Sequence, residues 1–180
     1  MKNNHPMNRL VQGDVGCGKT IVAILISSIA VGNNVQVAIM APTEILARQH
    51  FHTFKEQLNK VNITCALLIG KMRKGDRDKV ISGLRMGKIS IVVGTHALIQ
   101  NDVVFHELGL VIIDEQHRFG VSQRDALVKK SKVPHLLSMS ATPIPRSLAL
   151  TSNSFSKNSD KSIRNFSTFT PQALNTESPS

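Results

Sequence analysis

A glycine-rich segment near the amino terminus has the residue types and spacing that bind phosphate. Residues 13–20 read GDVGCGKT and fit the pattern G-x-x-x-x-G-K-[ST] at every position. Its glycines allow the backbone to bend round a phosphate, so that N–H groups point inward and the following helix adds its positive end. Lys19 is expected to bind the β and γ phosphates. The nucleotide loop comprises Gly13, Asp14, Val15, Gly16, Cys17, Gly18, Lys19 and Thr20.

An acidic pair far downstream supplies the carboxylates that such a loop requires. Asp114 and Glu115 begin the quartet DEQH, directly after the apolar run 108–113. Asp114, together with the Thr20 hydroxyl, is expected to hold Mg²⁺, and Glu115 to orient or deprotonate the attacking water. Alone, an Asp-Glu pair is also typical of a helix N-terminus, and the glycine segment could be a chance turn. Together they favour a site that binds a nucleoside triphosphate with Mg²⁺.

His117 completes the acidic quartet, three residues after the expected metal ligand. A lone histidine is commonly a surface residue. The alternative is a catalytic or sensing role, in which His117 detects the γ-phosphate and passes that state to Ser140 and Thr142 through hydrogen bonds. The spacing leaves both readings open.

The elements that must position these residues alternate between strand and helix patterns. Helices are expected at 20–31, from 44 onward with Thr43 as the cap, and at 75–85. Small or polar residues follow the strands, and in an open parallel sheet ligands bind at that edge. This alternation predicts an α/β fold with a mainly parallel sheet, although it does not give the strand order. The expected strands are 9–12, 35–40, 63–69, 89–93, 108–113 and 135–139.

Bulk composition limits the class of protein. The 180 residues suffice for one α/β domain, and 41% hydrophobic with 4% aromatic residues indicates an aliphatic core. A net charge of +10 favours a polyanionic partner such as DNA. Cys17 and Cys65 indicate neither a disulfide framework nor a zinc site. The apolar run 21–31 is too short to span a bilayer, which predicts a cytoplasmic protein without membrane association.

The composition changes near residue 150. Residues 151–180 contain twelve Ser or Thr and four Asn, with no long apolar run. Such a segment buries too little surface to offset its ordering entropy. We expect a domain at 1–150, truncated at its start, followed by a Ser/Asn-rich tail at 151–180 that is disordered or frameshifted.

Five motifs in order resemble a known family. The strings GDVGCGKT, APTEILARQH, GTHALI, DEQHRFGVSQR and SATPIPRSLA are similar to the first motor lobe of superfamily 2 DNA helicases. More narrowly, they resemble the RecG family of branch-migration helicases. The transcription-repair coupling factor shares DEQHRFGVSQR and SATPIPR, and it is the nearest rival. The resemblance covers about residues 7–150 and implies a RecA-like three-layer sandwich.

The resemblance also implies roles for further residues. One group is expected to touch the DNA backbone, where hydroxyls and amides are good phosphate partners, although Pro42-Thr43 also suits a helix cap. A second group is expected to couple ATP state to strand movement. The DNA-contact residues are Pro42, Thr43, Gly94, Thr95 and His96, and the coupling residues are Gln116, Ser140, Ala141 and Thr142.

A basic cluster is a further candidate for phosphate contact. Its alternative is a solvated helix face, because Asp76 and Asp78 partly neutralise it. The cluster consists of Lys71, Arg73, Lys74, Arg77, Lys79, Arg85 and Lys88.

The family function implied is ATP-dependent remodelling of branched DNA in repair and recombination. Such a motor binds ATP between two RecA-like lobes, and the second lobe supplies arginine fingers. Residues after 150 do not resemble a second lobe, so we expect an ATP hydrolase that is weak or inactive alone. The second lobe is an expected partner if it is supplied in trans. A non-catalytic nucleotide- or DNA-binding fragment and a small-molecule kinase are the other function classes.

Overall fold

A parallel sheet forms the centre of the molecule. The computed structural model describes residues 7–14, 16–131 and 134–141. Within them lie six strands in the order β1-β6-β5-β2-β4-β3, and every neighbouring pair is parallel. The strands are β1 (Asn8–Gln12), β2 (Gln36–Met40), β3 (Cys65–Leu68), β4 (Ile91–Gly94), β5 (Leu108–Asp114) and β6 (His135–Ser140).

Helices form most of the connections between the strands, because consecutive parallel strands need a long crossover connection. Thr43 caps the second helix, because its side chain accepts a hydrogen bond from the Leu46 N–H at 3.3 Å. Short 3-10 turns follow at Asn59–Val61, His96–Ile99 and Gln116–Arg118. The helices are α1 (Lys19–Gly32), α2 (Glu44–Leu58), α3 (Lys74–Arg85) and α4 (Val121–Val128).

The helices cover both faces of the sheet. Alternate residues of β2 belong to different cores, since Val37 and Ile39 pack with α1 and α2, whereas Ala38 and Met40 pack with α3 and α4. Both faces of β2 are therefore buried, which is typical of a central parallel strand. The predicted three-layer α/β sandwich is confirmed.

Gln36 joins three elements at the amino ends of the strands. It is 5% exposed. Its amide nitrogen donates to the carbonyls of Leu84 at 3.0 Å and Ile89 at 2.7 Å. Its amide oxygen accepts from the N–H groups of His106 at 2.8 Å and Glu107 at 3.0 Å. One buried side chain thus makes hydrogen bonds to four backbone groups, at the end of α3 and at the entries to β4 and β5.

All the described residues fall within one compact unit, Met1–Pro143. The predicted boundary at 150 and the predicted tail at 151–180 lie outside the described residues. In the part of the chain that the structure describes, no helix has the length and apolarity needed to cross a membrane.

Candidate nucleotide and magnesium site

The nucleotide loop connects β1 to α1 at the carboxyl ends of the strands. The Gly13 N–H donates to the Ser140 carbonyl at 3.2 Å, which fixes the loop to the end of β6. Gly16 and Gly18 both have φ of 87°, a left-handed conformation that strains any residue with a Cβ. The sequence therefore needs glycine at these two positions for the backbone path itself. Val15 lies outside the described residues.

Lys19 lies at the start of α1 and folds back over its own loop. Its Nζ donates to the carbonyls of Gly13 at 2.5 Å and Asp14 at 2.8 Å. The first turn of α1 contains no acidic residue, so no carboxylate there offsets the positive helix end. The ammonium and the helix end together form an anion-binding site. Phosphate oxygens would replace the two carbonyls as partners of the ammonium.

Asp114 ends β5, and β6 alone separates β5 from β1. The residue is 8% exposed. Its Oδ1 accepts from the Glu115 N–H at 3.0 Å, and its Oδ2 lies 2.6 Å from the His50 Nε2. The sheet thus places the loop and the carboxylate on the same edge, as the two sequence motifs predicted.

The donor set suits magnesium. Mg²⁺ prefers oxygen ligands and is usually held by one or two carboxylates together with substrate phosphates and water. Asp114 and Thr20 supply a carboxylate and a hydroxyl. No group of three His, Cys, Asp or Glu side chains among the described residues could hold a metal by itself. A metal here would take phosphate oxygens or water as its further ligands.

The side chains of Glu115 and His117 are neighbours in the segment that follows Asp114. Glu115 has φ of 48° and ψ of 55°, a left-handed conformation that costs a non-glycine residue about 1–3 kcal/mol. This bend turns the chain into the Gln116–Arg118 turn, which contacts β6. The His117 Nδ1 lies 3.4 Å from the Glu115 carboxylate. Of the residues predicted to couple ATP state to movement, Gln116 lies in this turn, Ser140 ends β6 and Ala141 follows it. Thr142 lies outside the described residues, so the relay from His117 stays a prediction.

The predicted DNA-contact residues lie on the same edge of the sheet. The Ala41 N–H donates to the Gly94 carbonyl at 2.8 Å, which holds the ends of β2 and β4 together. Thr43 is exposed and Pro42 is half-buried.

The Gly94 motif is less accessible than the Pro42 motif. A Cβ on Gly94 would overlap the Leu68 carbonyl oxygen, so packing against β3 already explains this glycine. Thr95 is 2% exposed, and its hydroxyl has no hydrogen-bond partner within the described ranges. His96 is exposed. In this motif His96 is therefore the side chain that reaches solvent, and the DNA contacts stay predictions.

The basic cluster divides into free and engaged side chains. Arg77 donates to Gln100 at 2.6 Å and to Asp102 at 2.9 and 3.1 Å. This hydrogen bond lowers the pKa of the Asp102 carboxyl below its ordinary value. The other six members are exposed. The Arg77 guanidinium is therefore already engaged by residues that follow β4, while the remaining cations stay candidates for phosphate binding.

His50 belongs to the site, but sequence reasoning gave it no role. It lies on α2, three residues after the buried Ala47 and four before the buried Phe54. At this helical spacing it faces the sheet, and its side chain is 12% exposed. The sequence did contain a signal for this role, because His50 is a polar residue on the side of α2 that is otherwise apolar.

The two cysteines differ in accessibility, and this gives a test of nucleotide binding. Cys17 is exposed within the loop, whereas burial raises the pKa of the Cys65 thiol to about 12. At pH 8 we expect iodoacetamide to modify Cys17 rapidly and Cys65 only after unfolding. MgATP at ten times its dissociation constant should slow Cys17 labelling about tenfold, because only free protein reacts. Peptide mass spectrometry measures both rates.

The variant Cys17→Ser is the control, and it should show no labelling in the native state. Equal Cys17 rates with and without MgATP would show that the nucleotide does not cover the loop.

Comparison with known proteins relates this geometry to helicases. The chain is 57% identical over 150 residues to the ATP-dependent DNA helicase RecG of Thermotoga maritima, covering 83% of this chain and 19% of that protein. It is likewise 57% identical to RecG of Aquifex aeolicus, covering 81% and 19%. The chain therefore spans about a fifth of the length of these relatives. The resemblance to RecG found in the motifs is confirmed.

Solved structures that resemble this chain are also helicases. A structure of RecG bound to a three-way DNA junction matches with a TM-score of 0.70 and 55% identity, covering 81% of this chain and 19% of that one. Helicase Lhr of Mycobacterium smegmatis, bound to single-stranded DNA and AMP-PNP, matches with a TM-score of 0.57 at 19% identity, covering 74% and 19%. The latter shows the fold alone. A family model, DEAD/DEAH box helicase, matches residues 2–151. This chain therefore belongs to the DEAD/DEAH box helicase family.

Proposed function

We propose that this chain is the ATP-binding motor lobe of a RecG-type DNA helicase, and that it binds and hydrolyses ATP with Mg²⁺. One observation carries the proposal: β1, β6 and β5 are neighbours, so the loop after β1 and Asp114 at the end of β5 lie on one edge of the sheet. A triphosphate held by Lys19 would then extend toward the carboxylate.

Each residue of the site has a separate role in the proposed reaction. Lys19 and the N–H groups at the start of α1 bind the β and γ phosphates. Thr20 and Asp114 would hold Mg²⁺, which when bound neutralises charge on the phosphates. Glu115 orients the attacking water and accepts its proton. His117 senses the γ-phosphate in this proposal, and its Nδ1 lies 3.4 Å from the Glu115 carboxylate, which supports a role beside the attacking water.

DNA is the proposed partner. Both solved relatives are complexes with DNA, a three-way junction in one and a single strand in the other. On this chain the accessible candidates are Thr43 and His96, together with the exposed basic side chains on and around α3. If four of those cations bind phosphates of a single strand, the log–log salt slope should be near −3, because each contact contributes about −0.7. We propose that the protein acts in the cytoplasm, where chromosomal DNA and ATP are available in bacteria.

Unwinding is proposed to require a second RecA-like lobe, supplied by the rest of a longer chain or in trans. Arginines from such a lobe commonly contribute about 10³–10⁵ in rate. We therefore expect the 180-residue chain to show no ATP-dependent strand displacement on a synthetic Holliday junction. A gel assay with full-length RecG as the positive control measures this, and robust unwinding by this chain would contradict the expectation.

Nucleotide binding and turnover test the main proposal separately. A fluorescent ATP analogue should bind with Mg²⁺, and phosphate release should rise when single-stranded DNA is added. Binding without turnover would support the alternative of a non-catalytic nucleotide- and DNA-binding fragment. Absence of binding would overturn the proposal. Phosphate transfer to a small-molecule acceptor, independent of DNA, would favour the kinase alternative.

A further inference from the structure

The contact between His50 and Asp114 joins helix α2 to the expected metal ligand. Their atoms Nε2 and Oδ2 lie 2.6 Å apart, and both side chains are nearly buried, at 12% and 11% exposure. A short contact with a carboxylate is among the stronger hydrogen bonds in proteins, and burial protects it from competition by water. We propose that His50 is a positioning residue that fixes the Asp114 carboxylate for Mg²⁺. This inference rests on the proposed nucleotide function.

Hydrogen bonds at both oxygens define the orientation of the carboxylate. Oδ1 accepts from the Glu115 N–H at 3.0 Å, and Oδ2 faces His50. Because the two partners lie on different elements, together they prevent rotation of the carboxylate about its Cβ–Cγ bond. An ionised carboxylate offers about four lone-pair sites, so two bonds leave sites for a metal or its water. An ionised carboxylate can only accept, so in this contact the His50 Nε2 atom is the donor.

Helix α2 holds the imidazole firmly. The residues before and after His50 on the same stripe, Ala47 and Phe54, are 0% and 1% exposed and belong to the core. The ring therefore has little freedom to turn away from Asp114. Ligand-orienting partners of this kind typically change metal affinity by about 10–100-fold when they are mutated.

The same helix begins at the predicted DNA contact. Thr43 caps α2, and His50 lies seven positions later, which is about 10 Å along a helix. Both residues therefore belong to one rigid element. Any movement of α2 on contact with DNA would shift the imidazole relative to Asp114, and with it the metal site.

Three substitutions of His50 test the proposal through nucleotide binding, without any measurement of catalysis. In His50→Gln the amide nitrogen is as many bonds from Cβ as Nε2 is, so the donor is kept. His50→Asn carries the same amide on a shorter stem, and His50→Phe keeps the ring but loses the donor. The matched control is His52→Phe, because His52 is exposed on the same helix.

The measurement is the Mg²⁺ concentration at which a fluorescent ADP analogue is half bound. We expect His50→Phe and His50→Asn to raise this midpoint about tenfold or more. His50→Gln and His52→Phe should stay within about twofold of the wild type. Binding of the same analogue in EDTA should be equal in all variants, because a general loss of structure would lower it.

Unchanged midpoints in both His50→Phe and His50→Asn would overturn the proposal, and so would equal effects of Gln and Asn. If His50→Phe does not fold, the comparison of Gln with Asn decides. The two proposals also fail differently. A wild type that binds no MgADP refutes the nucleotide function and this inference with it, whereas normal wild-type binding with indifferent variants refutes the role of His50 alone.

Discussion

Replacing Lys19 with methionine should lower the affinity for MgATP by at least about a hundredfold. In the structure its ammonium already makes two short hydrogen bonds, to the carbonyls of Gly13 and Asp14, so it lies within reach of a ligand held in the loop. Hydrogen bonds that involve a charged group contribute about 1.5–3 kcal/mol each, and two such bonds to phosphate correspond to about 10²–10⁴ in affinity. Calorimetric titration of each variant with MgATP measures the change.

Lys60→Met is the matched control for this substitution. Lys60 is exposed in the turn after α2, near the amino ends of the strands, and its loss should leave affinity unchanged. Methionine keeps most of the apolar stem of lysine, so packing changes little. A Lys19→Met protein that binds MgATP normally would show that the phosphates lie elsewhere.

Replacing Gln36 with leucine should destabilise the fold by about 2 kcal/mol, because a buried polar group that loses its partner costs about 1–3 kcal/mol. The substitution removes hydrogen bonds to four backbone groups, at Leu84, Ile89, His106 and Glu107. The Leu84 carbonyl keeps two backbone N–H donors, and His106 and Glu107 are exposed to water, so most of the cost should come from the Ile89 carbonyl. For a domain of this size the melting temperature should fall by roughly 5 °C.

Thermal unfolding followed by circular dichroism measures this effect. The control is Gln57→Leu, because Gln57 is an exposed glutamine of α2, and its replacement should change the melting temperature little. Equal melting temperatures for the Gln36 variant and the wild type would show that other groups or water satisfy the four backbone atoms.

The pattern of apolar runs predicted the six strands and helices α1 to α3, because most strands of a parallel sheet are buried and apolar. It did not predict α4. Errors occur at strand ends. Ile63 and Ile89 were expected in strands, but the Ile63 N–H bonds back to Leu58 at 3.3 Å and the Ile89 N–H to Gly83 at 3.3 Å. Both residues complete the turns that leave helices. Hydrophobicity marks such residues as buried, and burial alone does not distinguish a turn from a strand.

The site was predictable where its residues are consecutive, and it was not where the chain brings distant residues together. Two motifs gave Lys19 and Asp114, since loop and strand end are local patterns. The order of the strands depends on how the connections between them pack. The sequence therefore did not show that β6 lies between β1, which precedes the nucleotide loop, and β5, which ends at Asp114. His50 was missed because its role comes from contact with Asp114, 64 residues away.

The strand that carries the nucleotide loop lies at the end of the sheet and, within the described residues, pairs with β6 alone. Four of its five residues are exposed. Local opening costs least where few apolar contacts must break, so amide hydrogens of β1 should exchange with solvent much sooner than those of β2, whose residues are all buried. A ligand that binds the loop would have to suppress this local opening of β1. The cost of ordering the strand would therefore lower the net binding free energy.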